Sequence, residues 1–228
     1  MIASLPLDKR LHKLPDFNEE NLLRTNGYEL IAGVDEVGRG PLAGPVMAAA
    51  VMLPLNTHFD WIGLVNDSKK LTEKRREQLY DAIMADAIAV GVGSVNPAAI
   101  DIHGIGNAAR MAMKFAIDQL DLKPDFILID AVRLPDVKIP QKSIIRGDGK
   151  CISIAAASIV AKVTRDHYMM GIDNVYCNYG FARHKGYPTR EHMNNLMRFG
   201  ICPIHRKSFA PVKTQSSRSN EHKPQTHR

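Results

Sequence analysis

The feature that most constrains this chain is an interrupted apolar run. Leu30-Ile31-Ala32-Gly33-Val34 is stopped by Asp35-Glu36, then by Gly38-Arg39-Gly40-Pro41, and apolar character resumes from Val46 to Leu53. Two runs of strand length on either side of a glycine-rich turn predict two strands. The pattern recurs downstream. Ile88, Val90 and Val92 alternate with small residues, while Phe126-Ile127-Leu128-Ile129 and Ser143-Ile144-Ile145 are short buried runs. Helical spacing lies between them. Thr72 is placed to cap a helix carrying Leu79, Ile83 and Ala87, and a second helix is expected to bury Met111, Phe115 and Leu120. A third runs from Ile152 to about Met170, with Ala155-Ala156-Ala157-Ser158 small enough to lie close against a sheet. Strands alternating with helices predict an α/β layered domain. A last helix, Arg190 to Phe199, has Thr189 as its cap and Gly200 as its terminator.

The chain has 228 residues, of which 45% are hydrophobic, enough for one substantial core. The expected organisation is an N-terminal extension over 1–29, a catalytic domain over 30–212 ending in a helical portion, and a disordered tail over 213–228. A short apolar helix signal, Phe17 to Leu23, lies in the extension with Asp16 as its cap. Beyond Val212 the tail contains no apolar residue. Three scattered cysteines, Cys151, Cys177 and Cys202, form no disulfide framework and no spaced zinc site. No run approaches the roughly 20 apolar residues of a membrane span, and no secretory signal opens the chain, so a cytoplasmic monomer is expected. A net charge of +6 favours a polyanionic partner.

The chemistry is signalled by acids that end apolar runs. Asp35 and Glu36 follow one strand directly, Asp130 follows another, and Asp148 stands shortly after Ile145. Strand ends in α/β sheets carry ligand sites, because loops converge there on a rigid frame. Each acid alone reads as an ordinary turn or cap residue facing water. Gathered together, the four would repel one another unless cations intervened. Hard divalent ions take oxygen ligands, and two of them about 4 Å apart suit an in-line phosphoryl displacement. Adjacent strand residues face opposite ways, so Asp35 and Glu36 cannot both aim inward by ordinary pleating; Asp35 is expected to bridge the ions, and Glu36 to reach the site because the strand is ending.

The segment Gly33-Val34-Asp35-Glu36-Val37-Gly38-Arg39-Gly40-Pro41 resembles the signature of the ribonuclease HII family. The resemblance continues, in order, through Asn66-Asp67-Ser68-Lys69-Lys70-Leu71, Leu128-Ile129-Asp130, Gly147-Asp148, Ala155 to Asp166, His184-Lys185-Gly186-Tyr187-Pro188-Thr189 and His205-Arg206-Lys207-Ser208-Phe209, spanning about residues 30 to 212. It implies an RNase H-like mixed sheet flanked by helices, with Asp35, Glu36, Asp130 and Asp148 as catalytic acids holding two Mg²⁺ or Mn²⁺ ions. It also implies that the backbone of Gly38-Arg39-Gly40 meets ribose 2′-hydroxyls, and that Tyr187 packs on the deoxyribose beyond an RNA-to-DNA junction. The implied substrates are RNA/DNA hybrids and duplex DNA containing ribonucleotides, cut on the 5′ side of the ribonucleotide to leave 3′-hydroxyl and 5′-phosphate ends.

Ser68 and Lys69 resemble a phosphate-gripping turn, and Ser158 with Lys162, one helical turn apart, could share a face toward the substrate backbone. Arg165 and Asp166 read as a structural pair at a helix end, and His184 and His205 as packing residues. The family pattern is broken at Arg146, where lysine is usual, and at Gly104, where asparagine is usual. Two other readings compete: a junction-cutting nuclease of the same fold, with no need to sense a 2′-hydroxyl, and a non-catalytic nucleic-acid binder.

Overall fold

In a computed structural model, residues 14–55, 57–65 and 71–214 are described. Five strands form one mixed sheet: β1 (Ile31–Val37), β2 (Val46–Met52), β3 (Ala89–Val95), β4 (Phe126–Asp130) and β5 (Gln141–Ile144), in the order β3-β2-β1-β4-β5. The β1–β2 and β2–β3 pairs are antiparallel, whereas β1–β4 and β4–β5 are parallel. The central strand β1 is therefore hydrogen-bonded on both sides, and it carries the first two acids.

Both faces of the sheet's centre are covered, which is why β1, β2 and β4 read as continuous apolar runs rather than alternations. Along β2, Ala48, Ala50 and Met52 enter the core beneath α3 (Pro97–Asp118), while Ala49 and Val51 enter the opposite core beneath α2 (Glu73–Asp86) and α4 (Ile152–Asp173). Thr72 caps α2 by accepting from the Arg75 N–H at 3.3 Å. The helix α4 begins directly over β1. A Cβ on Gly33 would fall 2.1 Å from the Ser153 carbonyl carbon, so only glycine lets this helix start pass so close.

Of the residues expected on the buried face of α3, Leu120 just beyond its end is buried and Met111 packs partly buried against the same core, but Phe115 is 41% exposed, and Ala108, Ala109, Ala112, Met113, Ala116 and Ile117 are buried instead. Small residues win that face because the helix backbone presses on β3. The helix is also interrupted at Gly104, whose φ of 74° and ψ of 154° are not helical.

The N-terminal helix α1 (Asn18–Thr25) starts one residue later than expected. Asp16 accepts from the Asn18 N–H at 3.0 Å. Its Glu20 is completely buried and accepts from the Ser153 N–H at 2.9 Å and the Ser153 hydroxyl at 2.7 Å, tying α1 to the start of α4. At the other end, α5 (Phe181–His184) and α6 (Arg190–Phe199) form the helical C-terminal portion. Thr189 caps α6, and Gly200 ends it with φ of 75°. Lys213 and Thr214, expected in the tail, instead continue a helical turn by donating to the carbonyls of Phe209 and Pro211. The remainder of that tail, 215–228, lies outside the described residues. No helix among the described residues is long and apolar enough to cross a membrane.

Candidate active site

A cavity of about 250 Å³ opens at the end of β1. Its lining comprises Asp35, Glu36, Asp130 and Asp148, the turn Val37 to Gly40, Ser158 and Lys162 of α4, and Tyr187. Residues from distant parts of the chain meet there. Asp35 and Glu36 come from the central strand and Asp130 from the last position of its parallel neighbour β4. Asp148 stands in a short 3-10 turn, Gly147–Gly149, just beyond β5. Asp130 accepts from the Gly147 N–H at 2.7 Å, so the second and third acid-bearing segments are fastened to each other. Ser68 and Lys69 lie outside the described residues.

β1 ends at Val37, one residue beyond Glu36, with Glu36 paired opposite Ala48 and Val37 opposite Met47. Both acids line the cavity, Asp35 only 6% exposed and Glu36 more open. Asp35 accepts from the Glu36 N–H at 2.7 Å, and the Ser158 hydroxyl also donates to it. Glu36 accepts from the Arg39 guanidinium at 3.2 Å.

The site is electrostatically strained. Burial raises the Asp35 carboxyl well above the ordinary range, the negative charges of Glu36 and Asp130 raise it further, and the Ser158 hydrogen bond only partly opposes this. Burial likewise raises Glu36, against the pull of Arg39. Lys162 does not neutralise the acids, because both carboxylate oxygens of Asp166 accept from its ammonium at 2.6 and 2.7 Å.

That ion pair corrects the expected pairing of Arg165 with Asp166. Arg165 is completely buried and donates instead to the carbonyls of Pro45, Ala43 and Lys185. Arg206, equally buried, donates to the carbonyls of Gly38, Arg39, Gly44 and Pro45. Sequence reasoning gave neither arginine a role at the site. The signal available was that both fall inside family-like blocks, since nothing in composition separates a buried arginine from a surface one.

Tyr187 is held by its backbone. Its carbonyl faces His192 Nδ1 at 2.9 Å, and because a carbonyl only accepts, the proton sits on Nδ1. His192 Nε2 is then an acceptor, and His205 Nε2 donates to it at 3.1 Å. That leaves His205 Nδ1 to accept from the Cys202 N–H at 3.0 Å. Every ring nitrogen of this buried chain therefore has an assigned role, with both rings neutral. As expected, His184 and His205 serve packing and hydrogen bonding. The Tyr187 ring faces the cavity, with the Lys162 ammonium 6.0 Å and the Arg165 guanidinium 5.9 Å from its centre.

A mixed sheet with helices on both faces, and an acid-lined cavity at the end of its central strand, define an RNase H-like hydrolase. The chain matches the sequence profile of the Ribonuclease HII family over residues 32–212. It is 57% identical over 197 residues to Ribonuclease HII of Desulfitobacterium hafniense, covering 86% of this chain and 75% of that one. To Ribonuclease HII of Dehalococcoides mccartyi it is 50% identical over 200 residues, 88% of this chain and 95% of that one. Among solved structures, ribonuclease H2 from Pyrococcus horikoshii superposes with a TM-score of 0.69 at 26% identity, over 84% of this chain and 99% of that one. The chain belongs to the ribonuclease HII family, enzymes that cleave the RNA of RNA/DNA hybrids.

Proposed function

We propose that this ribonuclease, besides cutting the RNA strand of hybrids, nicks duplex DNA on the 5′ side of an embedded ribonucleotide, leaving 3′-hydroxyl and 5′-phosphate ends. The observation that carries the proposal is that one cavity is lined together by four acids, a Gly-Arg-Gly turn and an aromatic ring. A single ribonucleotide in DNA offers a reader one 2′-hydroxyl, so the sugar sensor must stand within one nucleotide of the reacting phosphate. Glu36 at the end of β1 and Gly38 in the turn that follows, two residues apart, satisfy that requirement.

The acids also fit divalent cations, Mg²⁺ or Mn²⁺. All their donors are carboxylate oxygens, and Asp35 is buried against the like charges of Glu36 and Asp130, an arrangement that positive charge would relieve. Among the described residues no group of three or more His, Cys, Asp or Glu side chains is arranged to hold an ion by itself. Mg²⁺ commonly takes one or two carboxylates and completes its shell with waters and substrate phosphate. Asp35, Glu36, Asp130 and Asp148 would hold two ions, which when bound would supply an activated water and stabilise the leaving oxygen.

The remaining residues bind and orient. Exposed N–H groups of the Gly38-Arg39-Gly40 turn meet the ribose 2′-oxygen. Tyr187 offers a flat apolar face to the neighbouring deoxyribose, which lacks the hydroxyl that would crowd it. Ser158 and Lys162, one turn apart on α4, flank the phosphate track, Lys162 with its positive charge and Ser158 with the hydroxyl that holds Asp35 in place.

The test is a labelled DNA duplex with one ribonucleotide. It should be nicked 5′ to that residue with Mg²⁺ or Mn²⁺ and left intact in EDTA, while the all-DNA duplex stays whole. Cutting of hybrids without nicking of the embedded ribonucleotide refutes the proposal. Cutting of branched all-DNA substrates would favour the junction-nuclease reading instead.

A further inference from the structure

The carbonyls of the glycine turn are drawn to one side. Arg206 donates through Nη2 to Gly38 O at 2.6 Å and through Nη1 to Arg39 O at 3.1 Å. It also reaches Gly44 O at 2.9 Å and Pro45 O at 3.1 Å. Arg165 braces the same loop at Pro45 O, 3.0 Å, and Ala43 O, 3.2 Å. Both side chains are 0% exposed, and among the described residues no carboxylate accepts from either guanidinium. A buried cation without a counter-ion is costly, and here a set of peptide dipoles offsets that cost.

Planarity of the peptide unit turns this into an aiming device. In a trans peptide the C=O of one residue and the N–H of the next point in opposite directions. With the Gly38 and Arg39 oxygens pulled inward to Arg206, the N–H groups of Arg39 and Gly40 must point outward. Both residues are exposed and line the cavity, and among the described residues neither N–H is donated to a protein acceptor. Gly38 completes the turn with φ of 89°; a Cβ there would fall 2.3 Å from Arg165 Nε.

We propose that Arg206, braced by Arg165, is a positioning residue for sugar recognition: its guanidinium fixes the turn so that the Arg39 and Gly40 N–H groups stand ready to donate to a ribose 2′-oxygen. The inference rests on the reading of this turn as the 2′-hydroxyl sensor. Lysine cannot take over the role, because one ammonium cannot reproduce a planar fork spread over four carbonyls. The arginine acts through the backbone and touches no substrate.

The test compares Arg206→Lys and Gly40→Ala with the unaltered enzyme. Two quantities are read with Mg²⁺ present: kcat/KM on a duplex with one embedded ribonucleotide, and the inhibition constant of the same duplex made wholly of DNA. A Cβ at Gly40 meets nothing closer than a Tyr187 ring carbon at 3.8 Å, so Gly40→Ala leaves the turn intact but puts a methyl beside the sugar. We expect both variants to lose at least about tenfold in kcat/KM, the loss of roughly one hydrogen bond, while the all-DNA duplex inhibits as before. If Gly40→Ala loses activity and Arg206→Lys does not, the clamp is overturned and the sensor stands. If neither does, the sensor reading itself fails. Activity and inhibition weakening in step in Arg206→Lys would mark a merely structural residue and also overturn the proposal. Should Arg206→Lys fail to fold, amide NMR in the Asp35→Asn background reads the same point. The Arg39 and Gly40 N–H resonances should move more with the ribonucleotide duplex than with all-DNA, and equal shifts would overturn it.

Discussion

Replacing Asp35 with asparagine should make the protein more stable while destroying its activity, provided divalent cations are absent. Asp35 is 6% exposed, and its raised carboxyl comes first from burial and then from the charges of Glu36 and Asp130. A carboxyl raised in the folded state holds its proton to higher pH than in the unfolded chain. Its contribution is therefore complete below about pH 4 and is lost as pH rises through the raised folded value. At pH 7 to 8 the folded protein thus carries a buried charge facing like charges. Asparagine keeps the shape and can still accept from the Glu36 N–H, while the Ser158 hydroxyl can turn to suit. Replacing buried charge by a neutral group of similar volume stabilises by about 1–4 kcal/mol where the charge is poorly compensated. For a domain of this size each kcal/mol moves Tm by about 2–4 °C. The variant should melt about 2–16 °C higher than the unaltered protein in EDTA at pH 7.5, with the gap closing toward pH 4. Adding Mg²⁺ or Mn²⁺ should raise the melting temperature of the unaltered protein and leave the variant nearly unmoved. Differential scanning calorimetry reads all of this. A variant that melts lower in EDTA, or gains as much from the cation, would show that Asp35 is not a strained ligand.

Two further outcomes follow from the packing. Gly33→Ala forces a methyl to within 2.1 Å of the Ser153 carbonyl carbon, so α4 must lift from β1. Overpacking of this kind costs about 1–3 kcal/mol or more, and chemical denaturation should show it; an unchanged midpoint would mean that the helix start can move freely. The neutral histidine chain predicts acid sensitivity. Burial depresses His205 to about 4, so the unfolded chain takes up a proton below about pH 6.5 while the folded state does not. Stability is lost as pH falls from about 6.5 toward 4, by on the order of 3 kcal/mol. His205→Asn should flatten that slope in urea titrations, and an NMR titration showing the His205 ring protonated at pH 6 would contradict the assignment.

The sheet and the acids were legible because each depended on a local contrast, polar residues breaking off apolar runs at Asp35, Asp130 and Asp148. The faces of the helices were less so. Periodicity favours the bulky Phe115, but α3 lies too near β3 for a large side chain, and that closeness is a property of the pair rather than of either segment. The end of β1 was legible in the first way: two acids mark it, and the strand stops at Val37, one residue beyond the second. The two buried arginines were invisible as a device, since a guanidinium that serves carbonyls from another part of the chain leaves no spacing to detect. Ser68 and Lys69 lie outside the described residues, and their proposed role stands on the family resemblance.

The order of the strands also governs when during synthesis the enzyme can exist. β1 and β2 are neighbours in sequence and can pair early, but β4 and β5 add to the other side of β1 only after some ninety further residues have been made, and such distant pairing is slow to form. Asp148 is supplied beyond β5, and the helix that brings Ser158 and Lys162 to the cavity comes later still. A nascent or prematurely ended chain therefore has half a sheet and an incomplete set of acids.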